Sequence, residues 1–332
     1  MGGWYTNNPL CPSHCFGRII NHVYRLEHQR NLKMNHTPVD LYHQAYAHLH
    51  SGDYATGFRL LEYRWHPDAI ATLDEPFEKY TPSPVWKGEP LQGKSIVVQM
   101  EMGYGDCIQF MRFLPILKVL GVSKLVVLST LPLAYLYAQI PCIDHITNNE
   151  KEGVSQKCDY WIGSMSLPFV ALHCPAPVRA LFPITQNKVI GSEGYLDAKP
   201  SQILPFVGVN WGASRRYLHG IKSTTPERMV ELVGKNAYSL NPEEDGPFIK
   251  LPDNGWKKDW QKTAEHMKSM KAVVTVDTGT AHMAGALGVK CIVLLPEDDY
   301  VCWRWKNAVW YDSVIALRQH EWNRVPELLK EI

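Results

Sequence analysis

The stretch from Val273 to Pro296 constrains the fold of this chain more than any other. Val273-Val274-Thr275-Val276 is β-branched and apolar throughout, the pattern of a strand buried on both faces of a parallel sheet. Asp277-Thr278-Gly279 comes next as a tight polar turn whose Asp or Thr can cap a helix. Ala281 to Leu287 are helix formers with small residues, Gly288 stops the helix, and Cys291 to Leu295 read as the next buried strand. Such a unit aims its helix N-terminus at the carboxyl edge of a sheet, where open α/β folds bind ligands. Asp277, Thr278, Gly279 and His282 crowd that edge, and the Asp277 and His282 side chains are expected at an exposed helix start rather than in the core. A sugar hydroxyl, a ribose or a phosphate would find donors, an acceptor and partial positive charge there. A helix cap beside a surface histidine is the plainer reading.

Two more strand ends share this character. After Gly93-Lys94, the strand Ser95–Gln99 leads into the turn Glu101-Met102-Gly103-Tyr104-Gly105-Asp106, then a helix over Cys107–Leu120 and a strand over Lys124–Ser129. Pro115 should kink or shorten that helix. Gly103 and Gly105 suggest half of a dinucleotide fingerprint, but Ile108 holds the third glycine position and no acidic residue closes a later strand, so a dehydrogenase is rejected. Asp106 is either a functional carboxylate at the mouth of a sheet or a simple N-cap. The third strand, Pro205 to Gly212, runs into a loop bearing Ser214, Arg215, Arg216 and Lys222, with Pro226-Glu227 opening a helix. Hydroxyls and cations after a strand suit a diphosphate, with Arg forking to its oxygens; a solvated basic loop is the alternative.

At 332 residues the chain has room for about two domains. A hydrophobic share of 45% argues against disorder, and a net charge of +1 without a long basic run writes no electrostatic grip on nucleic acid into the chain. Eight Cys at irregular spacings suit reduced thiols, and no run of eighteen apolar residues occurs, so a cytoplasmic protein is expected. Residues 1–33 form an appendage in which Cys11, His14 and Cys15 are a weak half of a zinc site. From Pro38, Leu41, Ala45, His48 and Leu49 share one helical face, Gly52-Asp53 turns, and Tyr54 to Trp65 form a second amphipathic helix. This hairpin over 34–75 has the form of one tetratricopeptide unit, and a lone unit must dock on the domain C-terminal to it. Glu243-Glu244-Asp245 reads as a solvated loop, and the tail tryptophans Trp303, Trp305, Trp310 and Trp322 as packing for the last helix, with a sugar- or base-stacking platform the alternative for one of them.

An ordered series of motifs carries a resemblance over about residues 40 to 325. It comprises Gly57-Phe58 with Glu62 to Trp65, Trp86-Lys87-Gly88 with Gly93-Lys94, and Glu101 to Phe110. It continues through Asn210-Trp211-Gly212, Asp277 to His282, Trp303-Arg304-Trp305, Trp310-Tyr311, Arg318-Gln319 and Trp322. Together these resemble the tetratricopeptide-linked bacterial and viral glycosyltransferases of GT-B fold, relatives of the lipopolysaccharide heptosyltransferases and, more distantly, of O-linked GlcNAc transferase. The resemblance implies two Rossmann-like α/β domains facing a cleft, an acceptor domain over 76–192 and a nucleotide-sugar donor domain over 193–332.

It further implies a transferase that moves a sugar from a nucleotide diphosphate sugar, the co-substrate, to an acceptor hydroxyl of unidentified kind. Asp106 stands where heptosyltransferases carry their base, with Gly103, Gly105 and Gln109 in the turn beside it. Asp277, Thr278, Gly279 and His282 match the donor-holding segment, and Lys222 matches a diphosphate-binding lysine, with Ser214 and Arg215 nearby. The loop from Ser214 to Lys222 is longer than in heptosyltransferases. Neither a cofactor nor a metal is expected. The competing function is a catalytically silent adaptor that binds nucleotide-sugar and uses its hairpin for partner contacts.

Overall fold

The computed structural model describes residues 36–70, 81–129, 132–147, 157–185, 188–200, 204–213, 219–297, 302–306 and 310–332. The appendage with Cys11, His14 and Cys15, and the loop residues Ser214, Arg215 and Arg216, lie outside them.

Helix α1 (Pro38–Ser51) opens with Thr37 as N-cap and Asp40 bonding back to it, a reciprocal capping box, and ends at Gly52 with φ 83°. Helix α2 (Tyr54–Leu61) is capped by Asp53, whose side chain accepts from the Thr56 N–H. The second helix is shorter than its periodicity suggests, because the last turn, Glu62–Trp65, tightens to 3-10 geometry. Gly57 lets the pair close, since a Cβ there would lie 2.7 Å from Leu49. The helical hairpin is therefore present.

Strands β1 (Ser95–Gln99), β2 (Lys124–Leu128), β3 (His145–Thr147) and β4 (Tyr160–Gly163) form an all-parallel sheet in the order β3-β2-β1-β4. The helix expected over Cys107–Leu120 is three pieces: α3 (Tyr104–Phe110), a 3-10 turn at Met111–Phe113, and α4 (Pro115–Val119). Pro115 has no N–H to continue the ladder, so it starts a new helix instead. A second parallel sheet, β6-β5-β7-β8-β9, uses β5 (Gly208–Asn210), β6 (Tyr238–Ser239), β7 (Val273–Val276), β8 (Cys291–Leu295) and β9 (Val314–Arg318). Every residue of β7 and β8 is buried, as their unbroken apolar runs require. Around this sheet lie α5 (Pro226–Val233), α6 (Trp260–Lys268), α7 (Gly279–Ala286) and α8 (Val325–Glu331). Gly288, at φ 67°, ends α7 in the left-handed conformation expected of a helix-stopping glycine.

The chain is thus α/β with two parallel sheets, and it divides into two compact units. One holds the described residues up to Met102 together with Phe110–Ile190, and the other holds Gly103–Gln109 with Gly191–Ile332. The sequence suggests a boundary after residue 192 and a turn at Gly103–Gln109 belonging to the first domain; by contacts that turn belongs to the second unit.

Within the first unit the hairpin is docked by a buried ion network. Arg64, with no exposed surface, donates from Nε and Nη2 to the two oxygens of Glu101 at 2.8 and 3.0 Å. Its Nη1 reaches Glu62 at 3.0 Å and the Leu61 carbonyl at 3.1 Å, and Nη2 also reaches Ser166 Oγ at 2.8 Å. The Met165 N–H completes the site by donating to Glu101 Oε2 at 2.8 Å. Phe58 meets Phe110 edge-on, with ring centroids 6.4 Å apart, an arrangement that aromatic pairs favour. No helix among the described residues is long and apolar enough to cross a membrane.

Candidate functional site

The site is built at the carboxyl ends of β5 and β7 in the second unit. Asp277 directly succeeds β7 and is buried; its Oδ2 lies 2.8 Å from Lys222 Nζ, and its Oδ1 accepts from Trp305 Nε1 at 2.8 Å. Thr278 is the N-cap of α7 by backbone geometry, but its side chain makes no cap hydrogen bond. Its hydroxyl instead lies 3.3 Å from Thr275 Oγ1 and accepts from Asn210 Nδ2 at 3.4 Å. Asn210, the last residue of β5, also donates to Thr280 Oγ1 at 3.1 Å, so one amide ties together the threonines on either side of Gly279. The α7 N-terminus turns its positive dipole end toward this cluster, with the Ala281 N–H already donating to the Thr278 carbonyl at 3.0 Å.

His282 stands one turn further along α7. Its Nδ1 is 3.0 Å from the Tyr311 hydroxyl, and its ring lies 5.0 Å from that of Trp305, tilted by 34°. Two glycines make the packing possible. A Cβ on Gly285 would fall 2.3 Å from the Tyr311 ring, and one on Gly105 would fall 2.7 Å from His282 Cδ2. Gly105 is required by the imidazole that its backbone passes, not by a nucleotide fingerprint. A Cβ on Gly279 would lie 3.0 Å from Trp260 and 3.3 Å from Tyr104, whose rings are 5.0 Å apart.

Asp106 sits inside the first turn of α3, past its start, so it is not the N-cap of the plainer sequence reading. Its Oδ2 accepts from the Gly103 N–H at 3.3 Å, while Arg304 Nη2 donates to Oδ1. Arg304 Nε donates to Gln109 Oε1, and Nη1 lies 3.0 Å from Cys302 Sγ. The guanidinium also rests over the Trp303 ring, 4.7 Å from its centroid.

Lys222 and Asp277 hold each other ionised. Burial by itself would raise the Asp277 carboxyl, but the Lys222 charge and hydrogen bond, with help from His282 and Trp305, hold it below the usual carboxylate range. Burial would lower Lys222, and Asp277 overcomes it and holds the ammonium above its ordinary value. Arg304 is opposed by burial in the same way and is held above its ordinary value by Cys302 and Asp106. Burial pushes the Cys302 thiol up, against the pull of Arg304.

The sequence puts Asp277 and His282 at an exposed helix start; both are buried, at 7% and 5% exposure. The cause is the Trp305–Tyr311 pair, which covers them from a segment distant in sequence. Lys222, Asp277, Thr278, Gly279 and His282 do gather at one strand edge, and Gly103, Gly105, Asp106 and Gln109 lie in the same unit. Asn210, Arg304 and Tyr311 have no site role in the sequence, although each falls within a motif of the resemblance. Trp305 does more than pack, since its indole N–H serves Asp277. In the acidic loop Asp245 is not simply solvated: it pairs with Lys257 at 3.0 Å and Lys250 at 3.8 Å.

No protein-family model matches the chain, and no curated protein matches it. Solved structures similar to it are glycosyltransferases. One is a glycosyl transferase family 9 protein from Veillonella parvula DSM 2008, with 16% identity, 73% of this chain and 91% of that one covered, and a TM-score of 0.43. A second is the E. coli ADP-heptose lipopolysaccharide heptosyltransferase II, at 13% identity, 71% and 97% coverage, and a TM-score of 0.45. A third is the E. coli heptosyltransferase WaaC with ADP-2-deoxy-2-fluoro heptose, at 13% identity, 71% and 99% coverage, and a TM-score of 0.48.

Proposed function

We propose that the chain is a glycosyltransferase that moves a sugar from a nucleotide diphosphate sugar to an acceptor hydroxyl. The observation that carries this reading is the edge of the second sheet, where the ion pair Lys222–Asp277 and the start of α7 lie in the same compact unit as Asp106. The motif series over residues 40 to 325 supports it, and with it a GT-B arrangement and a tetratricopeptide-like origin for the hairpin.

In this reading the acceptor hydroxyl attacks C1 of the sugar as the bond from C1 to the diphosphate oxygen breaks. Asp106 takes the hydroxyl proton, a contribution of roughly two to four powers of ten in rate. The departing diphosphate gains negative charge, which Lys222 and the α7 N–H groups neutralise. Asp277 holds Lys222 in place and charged until the phosphates arrive, and Thr278, Gly279 and His282 line the donor side. Because protein cations supply the charge, transfer should continue in EDTA; loss of transfer in EDTA restored by Mn²⁺ would reverse that part.

A thermal-shift screen of ADP, UDP and their sugars identifies the donor, since a ligand that binds only the native state raises its stability. With a donor and acceptor in hand, Asp106→Asn keeps the size and the Arg304 contact. It should melt like the parent, bind donor normally and transfer sugar roughly a hundredfold more slowly. Turnover near the parent's would remove Asp106 from the chemistry, and failure of every nucleotide in calorimetry would remove the donor site.

A further inference from the structure

Arg304 belongs to a motif that neither the sequence reading nor the proposed chemistry puts to use, and its surroundings are unusual. The guanidinium is mostly buried, with its side chain 13% exposed, and it grips two residues of one short helix at once. Nη2 donates to Asp106 Oδ1 and Nε to Gln109 Oε1, residues three apart and therefore on one face of α3. The other side of the fork lies 3.0 Å from Cys302 Sγ, and the plane rests on Trp303. Gln109 has no exposed surface, so its contact with Arg304 is not shared with bulk water.

A planar fork held against an indole can fix the direction of two acceptors simultaneously. A lysine, with a single compact head on a flexible stem, cannot. We propose that Arg304 is a positioning residue: it locks the first turn of α3 so that the Asp106 carboxylate is held in one orientation with Oδ2 turned toward the Gly103 N–H. Arg304 acts through Asp106 and is not a ligand of the donor phosphates. Its importance for turnover rests on the proposed role of Asp106, whereas its hold on the helix does not.

Two measurements test the two parts separately. Hydrogen exchange on the ligand-free protein needs no substrate. Arg304→Lys and Arg304→Gln should both speed exchange across residues 103–110 by about tenfold and leave residues 279–287 unchanged. Unchanged exchange over 103–110 would overturn the proposal. Gln109→Met, which removes one acceptor and keeps the volume, should give the same signature more weakly and covers the case in which the Arg304 variants fail to fold.

For turnover, with the donor and acceptor found by the screen, Arg304→Lys should lower kcat by about tenfold with donor KM unchanged. In the Asp106→Asn background, Arg304→Lys should cost no more than about a further twofold. Losses that multiply, or ADP or UDP affinity falling in step with turnover, would make Arg304 a direct phosphate ligand and overturn the proposal. Near-parent turnover in Asp106→Asn alone would instead count against the assignment of the base, leaving the exchange result to decide what Arg304 does.

Discussion

The Arg64–Glu101 network of the first unit and the Lys222–Asp277 and Arg304–Asp106 pairs of the second use the same chemistry for different ends. Arg64 and Glu101 are 0% and 1% exposed, and the carboxylate also accepts from a backbone N–H. A ligand has nowhere to enter. In the second unit Lys222 and Asp106 keep 21% and 22% of their side-chain surface, each beside a more deeply buried partner. Desolvation is tolerated in the first case because nearly every donor and acceptor is met, and tolerated in the second because one face stays open to whatever arrives. The closed network also steadies the backbone next to it. Met102, immediately after Glu101, is the one non-glycine residue with positive φ among the described residues, at 64°. A conformation of that kind costs on the order of 1–3 kcal/mol and persists only where the surroundings fix it.

The sharpest way to break this comparison is to remove one partner from the closed network. Arg64→Met should destabilise the protein by about 3–5 kcal/mol, because it removes the buried cation that Glu101 and Glu62 share. Denaturant unfolding measures it, and a loss no larger than that of an exposed pair would show that the network relaxes easily.

On the open side the effect should appear in binding before it appears in stability. Lys222→Ala should weaken ADP or UDP binding by about 1.5–3 kcal/mol, the worth of a charge-assisted hydrogen bond, and affect free nucleoside far less. Equal losses for both ligands in calorimetry would place Lys222 away from the phosphates. Asp277→Asn is the companion variant; since Asp277 is buried, some loss of melting temperature should accompany the loss of affinity.

A steric variant probes how tightly the open site is built. Gly105→Ala places a carbon 2.7 Å from His282 Cδ2. Overpacking of that kind costs about 1–3 kcal/mol, and displacement of the imidazole should lower nucleotide affinity as well. Parent-like melting and binding would mean that His282 yields without consequence.

The smallest effect is in pH dependence. Asp277 is held below the ordinary carboxylate value, so its contribution is present above about pH 4 and lost as pH falls through its folded value. Lys222 is held above the ordinary lysine value, so its contribution is present below about pH 10 and lost as pH rises through its folded value. Nucleotide-free stability of the parent should therefore fall more steeply below about pH 4 than that of Asp277→Asn. Parallel acid limbs in the two proteins would show that the pair contributes nothing to folding.

The elements of the two sheets were legible in the sequence where burial imposes a local pattern. Val273–Val276 and Cys291–Leu295 sit where their apolar runs put them, and Pro115 interrupts its helix as a residue without an N–H must. The 3-10 turn at Glu62–Trp65 was not legible, because helical periodicity continues through it and the contacts Arg64 makes from it reach residues far along the chain.

The candidate site divides along the same line. The gathering of Asp277 to His282 at a strand end was legible, because a turn from a buried strand into a helix is a sequence-local event. The sequence put Gly105 and Asp106 in a turn, and the structure makes them part of the first turn of α3. Tertiary structure decided what touches them. Arg304 reaches Asp106 from 198 positions away, Trp305 and Tyr311 bury Asp277 and His282 that were expected in solvent, and Gly105 is needed because an imidazole from another helix lies against it. Backbone pattern arises from each residue's preference for water or for its neighbours in the chain. The partner of a charge depends on which distant segments the fold brings together, and no local preference encodes that.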